Sequence, residues 1–568
     1  MKLSTLASLA TVAACFAPFV HAQTAADYTQ SASTSGTTVT IKFVPTNPSQ
    51  WVIAHYSVNG GGLQNVYMAA SSGAYTLAVS PEANGNTLSY WFTYQKGSNA
   101  GTAYDTDSAH PFTYVVGSSS GGTGGTGGTG GTGGTGGTGG TGSTGSNAGD
   151  GSTGAANWNG LTTFKLVNGT HGKWADSQVY WTIIGKDWNT GKFVHVDPNG
   201  NLIPMTLGDN VVQKPGDTSA NRYANWFTTL SAHSTVTIPA INSARLLMSV
   251  GSPMYIQVNT DGAGAIAYAG ANIDNSSDPN QSVIFDFGEF AILPKGYVDA
   301  NGNSGQGIFV NTTRVDQFGF PVQLHVTGDQ FDHTVGDTLT ETRDQLFSEF
   351  TSSVPAPFVS LASPHPDVVP AKTRIAAPGN WSFSSSVSGG AAGPNANYLD
   401  AYIASVWSYF KTNTLNFTLD GLGTFSGHVD GSNRFVFTGG IYNGTYYIYS
   451  VPTTSDVLLG AKSLADGTGQ VNTATAKNLD VQLQIQAQVC AALNRHVLQN
   501  PADWYTPAKF YPAGTAANWY AQFWHQHSLP ATTGGYGLAY GFAYDDVGHF
   551  SPSLHTVAPS TVTYTVGW

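Results

Sequence analysis

The sequence predicts a multidomain, mainly β protein, and three observations carry that expectation. Its 568 residues exceed what one core normally organises, a Gly/Thr-rich repeat divides the chain, and short apolar runs bounded by Gly, Asn and Pro recur on both sides of it. Charged residues make up 10% of the chain and aromatic residues 12%, and Glu and Lys are scarce beside Gly, Thr, Ser and Asn, a balance that favours strands and turns over surface helices. A formal net charge of −12 argues against nucleic acid and acidic polymers as partners, and a neutral ligand fits better.

Residues 1–22 read as a signal peptide: Met1 and Lys2 precede an apolar run, and small Ala22 ends it. Secretion follows as an expectation. A lipoprotein-type stretch ending at Cys15 competes, but the apolar run continues through Phe16, Phe19 and Val20 and favours the later cut. Cleavage there leaves Cys490 as the single cysteine, so no internal disulfide is expected and a buried, inert thiol is. No later apolar run is long enough for a membrane span, so a soluble protein without a membrane partner is expected.

Residues 23–116 hold strand-like runs at 38–44, 51–58, 88–94 and 112–116, the pattern of a small β-sandwich module. Residues 117–156 form the linker, whose Gly-Gly-Thr repeat can bury nothing and acts as a flexible tether. Residues 157–568 form the larger domain: a β-rich part to about 335, a mixed α/β part to about 530 and a closing β segment. Its strand-like runs fall at 178–184, 234–238, 245–250, 282–292 and 309–320. Helical signals begin later, with a capping box of Thr338 and Glu341 for a helix to about Phe350, and with Leu399, Ile403, Val406, Trp407 and Phe410 at helical spacing. Val481, Leu483, Ile485, Ala487 and Val489 alternate with polar residues as a strand would, yet lead into a helix-favouring Cys-Ala-Ala-Leu, and helix is the reading adopted.

The chain has four glutamates, Glu82, Glu289, Glu341 and Glu349. Glu82 falls in a turn of the small module, and Glu341 and Glu349 on an amphipathic helix where carboxylates are solvated. Glu289 lies within a strand whose alternation sets it on the side of Phe285 and Phe287, an aromatic setting suited to keeping a general acid protonated. A second carboxylate is needed to activate water or attack a sugar. Asp316 is the candidate, on an aromatic-rich strand able to pair with the first; Asp286 is its rival but points away from the face of Glu289. On spacing alone, a Glu289 turned to solvent and an Asp316 paired with Arg314 explain these residues as well as chemistry does.

The motifs Asp286-Phe-Gly-Glu289-Phe and Asn311-Thr-Thr-Arg-Val-Asp316-Gln-Phe-Gly-Phe-Pro321 resemble glycoside hydrolase family 64, the β-1,3-glucanases of laminaripentaose-producing type. Ser177-Gln-Val-Tyr-Trp181 and Tyr540-Gly-Phe-Ala-Tyr-Asp-Asp546 support the resemblance, the latter also being similar to thaumatin-like proteins. It implies a thaumatin-like β-barrel or sandwich joined to an α/β domain with a glucan groove between, and an inverting mechanism in which Glu289 is the general acid and Asp316 the general base. Thr313 matches a sugar-contacting Thr of the family. The chain departs from the family pattern at Ala291, where Thr is usual, and in a longer connection between the carboxylates, an apparent loop insertion from about 294 to 307.

The stretches from Trp51 to Asn65 and Tyr90-Trp-Phe-Thr-Tyr94 resemble carbohydrate-binding module family 56, which implies a β-sandwich that binds β-1,3-glucan. Trp51, Tyr56, Trp91, Tyr94 and Tyr104 are its candidate sugar platforms, although strands of a small sandwich must bury about half their side chains. The resulting expectation is a monomeric, secreted endo-β-1,3-glucanase that releases short laminari-oligosaccharides without cofactor. A non-catalytic glucan-binding lectin or thaumatin-like protein is the alternative. No metal site is expected: His525 and His527 are two residues apart and lack Cys or Glu nearby in sequence. Asp545 and Asp546 are expected to stabilise a turn.

Overall fold

The computed structural model describes residues 28–35, 38–46, 49, 52–58, 64–71, 73–79, 86–95, 103–105, 112–116, 158–261, 264–298, 304–380, 382–385, 391–465, 476–530 and 536–568. The expected signal peptide and linker, Trp51 and the side chain of Tyr104 lie outside the described residues. The chain divides into two compact units, one built on the described residues of Gly134–Ile256 and Gly270–Trp568, the other on those of Ala17–Gly133 and Gln257–Ala269.

In the unit that holds the N-terminal module, one sheet orders Tyr28–Ser35, Thr38–Pro45, Ala74–Val79 and Ala69–Ser71. A second centres on Thr87–Gln95, paired with Val52–Val58, Ala103–Asp105 and Phe112–Val115, and Gln64–Tyr67 edges it. Strand alternation sends Val39, Ile41 and Phe43 from one sheet and Leu88, Tyr90, Phe92 and Tyr94 from the other into a single core.

The larger unit carries a sandwich of its own. A five-stranded sheet runs Thr235–Ile238, Thr162–Gly169, Pro559–Gly567, Val322–Gly328 and Phe331–Gly336, with the C-terminal strand parallel to Thr162–Gly169. The eight-stranded sheet places Ile284–Val298 between Ile241–Val250 and Ser304–Asn311, with Val179–Lys186 beyond the former and Ser553–Thr556 at the edge. Phe164, Leu166, Leu324, Val562 and Tyr564 meet Trp181, Leu246, Met248, Phe290 and Val310 in the core, where the rings of Phe164 and Phe290 are 4.5 Å apart.

A second core joins the four-stranded meander of Leu415–Leu419, Gly423–Val429, Phe435–Gly439 and Gly444–Ile448 to helices Arg343–Ser353, Asp400–Phe410, Ala476–Asn494 and Trp519–His527. Helix Asp400–Phe410 buries Ile403, Val406, Trp407 and Phe410, the spacing read from sequence. Ala476–Asn494 is a helix despite its alternation, because it is central: Gln482 and Gln486 are fully buried beside Val481 and Ile485, bonded to Tyr447 backbone and to Ser463 O. Cys490 lies buried in it with its thiol directed at Val457 O, and burial pushes its pKa up, as an inert thiol requires.

Three expectations need correction. The expected strand 309–320 stops at Asn311 and resumes only as the two-residue Gln317–Phe318, because the intervening backbone turns to bond elsewhere. The helix cap sits four residues later than expected: Thr342 accepts from Gln345 N–H and Gln345 answers at Thr342 N–H, while the Thr338 hydroxyl bonds Glu341 Oε2. The connection after Glu289 is largely a hairpin arm and not a loop. The strand continues to Val298 and pairs back with Ser304–Asn311 across a bulge between Leu293 and Tyr297, a hairpin arm braced by the Trp188–Tyr297 ring pair at 5.0 Å.

Candidate active site

Glu289 is set by strand register. Arg245 lies directly opposite it on Ile241–Val250, and regular alternation from Ile284 to Phe290 turns Phe285, Phe287 and Glu289 away from the core that receives Phe290. Its side chain is 20% exposed, and Oε1 accepts from Arg245 Nη2 at 3.0 Å and Nε at 3.2 Å. The guanidinium rests over the Phe287 ring at 4.9 Å. The backbone N–H of Glu289 donates to Asn311 Oδ1 at 3.2 Å. The expected aromatic neighbours are therefore present, but the direct partner of the carboxylate is a cation from the adjacent strand, which no reading of 283–292 contains.

Asp316 lies in the turn before Gln317–Phe318, half-buried, and that turn is fastened to the strand of Glu289. Gln317 Nε2 donates to Phe285 O at 2.6 Å and Gly319 N–H to Asp286 Oδ2 at 2.9 Å. The backbones approach so closely that a Cβ on Gly319 would stand 1.9 Å from Phe285 O, so no other residue fits without displacement. From the other side Ala377 N–H donates to Asp316 O at 2.8 Å, Arg314 N–H to Tyr540 O at 2.9 Å, and Tyr520 OH to Arg314 O at 2.7 Å.

Beneath the two carboxylates runs a buried ionic network. The Arg314 guanidinium, 4% exposed, bonds Asp286 Oδ2 at 2.6 Å and also pairs with Asp337. Burial pushes Asp286 up to about 6 against the pull of Arg314, and burial raises Asp337 as well. Asp286, the rival candidate, thus points into the protein, as alternation requires. Arg314 forms ion pairs with Asp286 and Asp337.

Asp274 is a residue that sequence reasoning missed. Burial, and then the neighbouring Asp316 carboxylate, push it up to about 8, so a third carboxyl group of the site is neutral at pH 7. Its loop is rigidly tied: Gln281 Nε2 donates to Ile273 O at 3.0 Å and Asn275 O at 2.6 Å, and Arg374 holds Asn280 O at 2.8 Å, Val283 O at 3.1 Å and Gln317 Oε1 at 3.0 Å. The run Asn272–Gln281 is so rich in Asn, Ser and Asp that it reads as a surface turn, which hides Asp274.

Thr313 departs from its expected role. It is 1% exposed and its hydroxyl accepts from Val315 N–H at 3.2 Å, so it shapes the turn into Asp316 instead of facing a sugar. Of the module's candidate platforms, Tyr94 is also corrected: 1% exposed, it packs on Phe43 with ring centroids 4.8 Å apart. Tyr56, opposite Tyr90, packs half-buried against the core. Trp91 points to the other face, half-buried and stacked on His55 at 5.1 Å, while His55 Nε2 bonds Thr93 Oγ1 at 2.7 Å.

Near the C-terminus, His525 bonds Gly537 O at 2.7 Å and Asp545 Oδ2 at 3.0 Å, and Arg495 reaches Asp545 Oδ1 at 3.0 Å. Burial opposes ionisation of Asp545, but His525, Arg495 and the Gly541 amide outweigh it and hold its pKa down, whereas burial and Asp545 raise Asp546. This pair is thus core polar structure, wider in reach than the expected turn. His527 faces Glu341 and Glu349, correcting the expectation that these two glutamates are only solvated.

Comparison with known proteins places these elements. Residues 160–566 match the β-1,3-glucanase family model of glycoside hydrolase family 64, and residues 29–106 match carbohydrate-binding module family 56. The β-1,3-glucanase domain of Clostridium beijerinckii is 40% identical, with a TM-score of 0.61 over 72% of this chain and 98% of that one. The laminaripentaose-producing β-1,3-glucanase of Paenibacillus barengoltzii, solved with laminarihexaose, is 30% identical with a TM-score of 0.51 over 95% of this chain and 100% of that one. A glucan endo-1,3-β-glucosidase of Arthrobacter sp. (strain YCWD3) is 26% identical over 329 residues, 57% of this chain and 52% of the relative, so the chain spans about half the length of that protein. On the match across residues 160–566, the chain belongs to glycoside hydrolase family 64, the β-1,3-glucanases, and carries a family 56 carbohydrate-binding module ahead of that domain.

Proposed function

We propose that this protein is a secreted endo-β-1,3-glucanase that cleaves internal β-1,3-glucosidic bonds with inversion, Glu289 acting as general acid and Asp316 as general base. The observation that carries the reading is the fastening of the Asp316 turn onto the Glu289 strand at Phe285 and Asp286, with both carboxylates half-buried while Asp286 is consumed by Arg314. In this mechanism Arg245 holds Oε1 of Glu289, so Oε2 presents the proton to the glycosidic oxygen. Asp316 removes a proton from a water that attacks C1 from the opposite side, the C1–O bond breaks, and the anomeric configuration inverts. That geometry needs a carboxyl separation of roughly 6.5–9.5 Å to admit the water.

The reading includes export by the segment ending at Ala22, a monomer, short laminari-oligosaccharides as products, and a thaumatin-like arrangement with a glucan groove. The solved relative bound to laminarihexaose and the family 56 module both support β-1,3-glucan as substrate. Among the described residues, Trp91 is the module's best-placed platform. A tether raises local concentration at an insoluble polymer, so deleting the module should impair hydrolysis of insoluble glucan more than of laminarin, and equal loss on both would remove that role.

The test is laminarin hydrolysis followed by NMR of the product anomer, for the parent and for Glu289→Gln and Asp316→Asn variants that fold and bind glucan. Release of α-anomer by the parent with loss of most turnover in both variants upholds the assignment. Glucan binding without sugar release establishes the lectin reading instead, and active variants would mean other carboxylates do the chemistry.

A further inference from the structure

Two of the four glutamates of the chain converge on one imidazole outside the active site. His527, the last residue of helix Trp519–His527, directs Nδ1 at Glu341 Oε1 at 2.7 Å and at Glu349 Oε2 at 3.7 Å. The three ligand atoms lie within 4.8 Å of one another. We propose that His527, Glu341 and Glu349 form a binding site for a divalent transition ion of the Zn²⁺ class, which clamps helix Arg343–Ser353 to helix Trp519–His527.

Charge, geometry and support each point this way. Among the described residues neither glutamate makes an ion pair with Lys or Arg, so two carboxylates face the site, the complement of a divalent cation. Metal–ligand bonds of about 2.0–2.2 Å in tetrahedral array put ligand atoms roughly 3.3 Å apart. The 2.7 Å contact must therefore open and the 3.7 Å contact close, each by about half an ångström, and the two carboxylate oxygens, within 4.8 Å of each other, close by up to about 1.5 Å, within the reach of side-chain rotation at half-exposed Glu349. Thr338 Oγ1 holds Glu341 Oε2 at 2.6 Å, which turns Oε1 towards the imidazole, and Thr338 N–H donates to His527 O at 3.2 Å. His527 is 15% exposed and Glu349 49%, which leaves water a path to the remaining coordination position. The imidazole ligand selects a borderline ion over Ca²⁺, whose ligands are oxygens. The ligands stand 186 residues apart in sequence, which is why His525 and His527 viewed with their sequence neighbours suggest no site.

Titration calorimetry of the full chain, stripped with chelator and then given ZnCl₂, tests the proposal. The parent is expected to bind one Zn²⁺ that excess Ca²⁺ does not displace, with a raised melting temperature. Glu349→Gln, a half-exposed and conservative change, and His527→Gln should each weaken that binding by on the order of 10- to 100-fold or more, while Asp344→Asn, on the same helix but paired with Lys372, leaves it unchanged. The proposal is overturned if the parent shows no such binding at millimolar Zn²⁺, if Ca²⁺ displaces it, or if both ligand variants bind as the parent does.

Discussion

Gly319→Ala is the most informative single change to the candidate active site, because it adds one methyl group between the two segments that carry the carboxylates. The added Cβ would lie 1.9 Å from Phe285 O and 2.8 Å from Phe285 C, backbone atoms that cannot rotate away. Ordinary contact requires roughly 3.4 Å or more, so the Asp316 turn and the Glu289 strand must separate by more than about 1 Å. Overpacking of this kind costs about 1–3 kcal/mol in stability, and a displacement of about 1 Å in catalytic geometry costs on the order of 100-fold in turnover. The expected outcome is a modest fall in melting temperature with a kcat on laminarin lower by about two orders of magnitude, while the module still retains the protein on insoluble glucan. Gly431→Ala is the control: nothing lies within 4 Å of its added Cβ, so turnover and melting temperature should stay near those of the parent. Parent-like turnover in Gly319→Ala with an unchanged melting temperature would refute the claim that this contact sets the spacing.

Further outcomes follow from the same network and from the module. Arg314→Met should cost about 3–5 kcal/mol, measured by denaturant unfolding, since it strands Asp286 and Asp337 in the core; the triple change that also replaces both aspartates by Asn should recover much of the loss. Asp274 has a folded-state pKa raised from 3.8 to about 8, so between those values the folded protein holds a proton that the unfolded chain has released. Its contribution to stability therefore declines as pH rises from about 4 to 8, with a slope of at most ~1.4 kcal/mol per pH unit. Asp274→Asn should flatten that slope and be the more stable form at pH 8, as thermal melts across this range would reveal. In the module, Trp91→Ala should weaken retention on insoluble β-1,3-glucan by roughly two- to tenfold without unfolding it, whereas Tyr94→Ala removes a core ring and should cost about 3–5 kcal/mol.

What was legible in the sequence follows the range of the interactions. The strand of Glu289, the helix Asp400–Phe410 and the inward turn of Asp286 rest on side-chain periodicity, which is local, and all three stand in the structure. The site around them was not legible, because its parts arrive across sheet register and through loops. Arg245 meets Glu289 only because two strands pair at that register, 44 residues apart. Asp274 sits on a loop whose composition describes a surface turn, yet whose side-chain amides are spent on its own carbonyls, so that Asp274 is turned inward. Asp316 looked like a strand residue because aromatic residues flank it, but Phe318 belongs to the helical core and Phe320 to the sandwich core. That division explains why the strand Gln317–Phe318 ends where it does. A regular strand would send Phe318 and Phe320 to one side, whereas two cores claim them here, so the backbone must break between them, at Gly319. The same two-core constraint makes Gly319, between the two rings, the residue that permits the close crossing at Phe285.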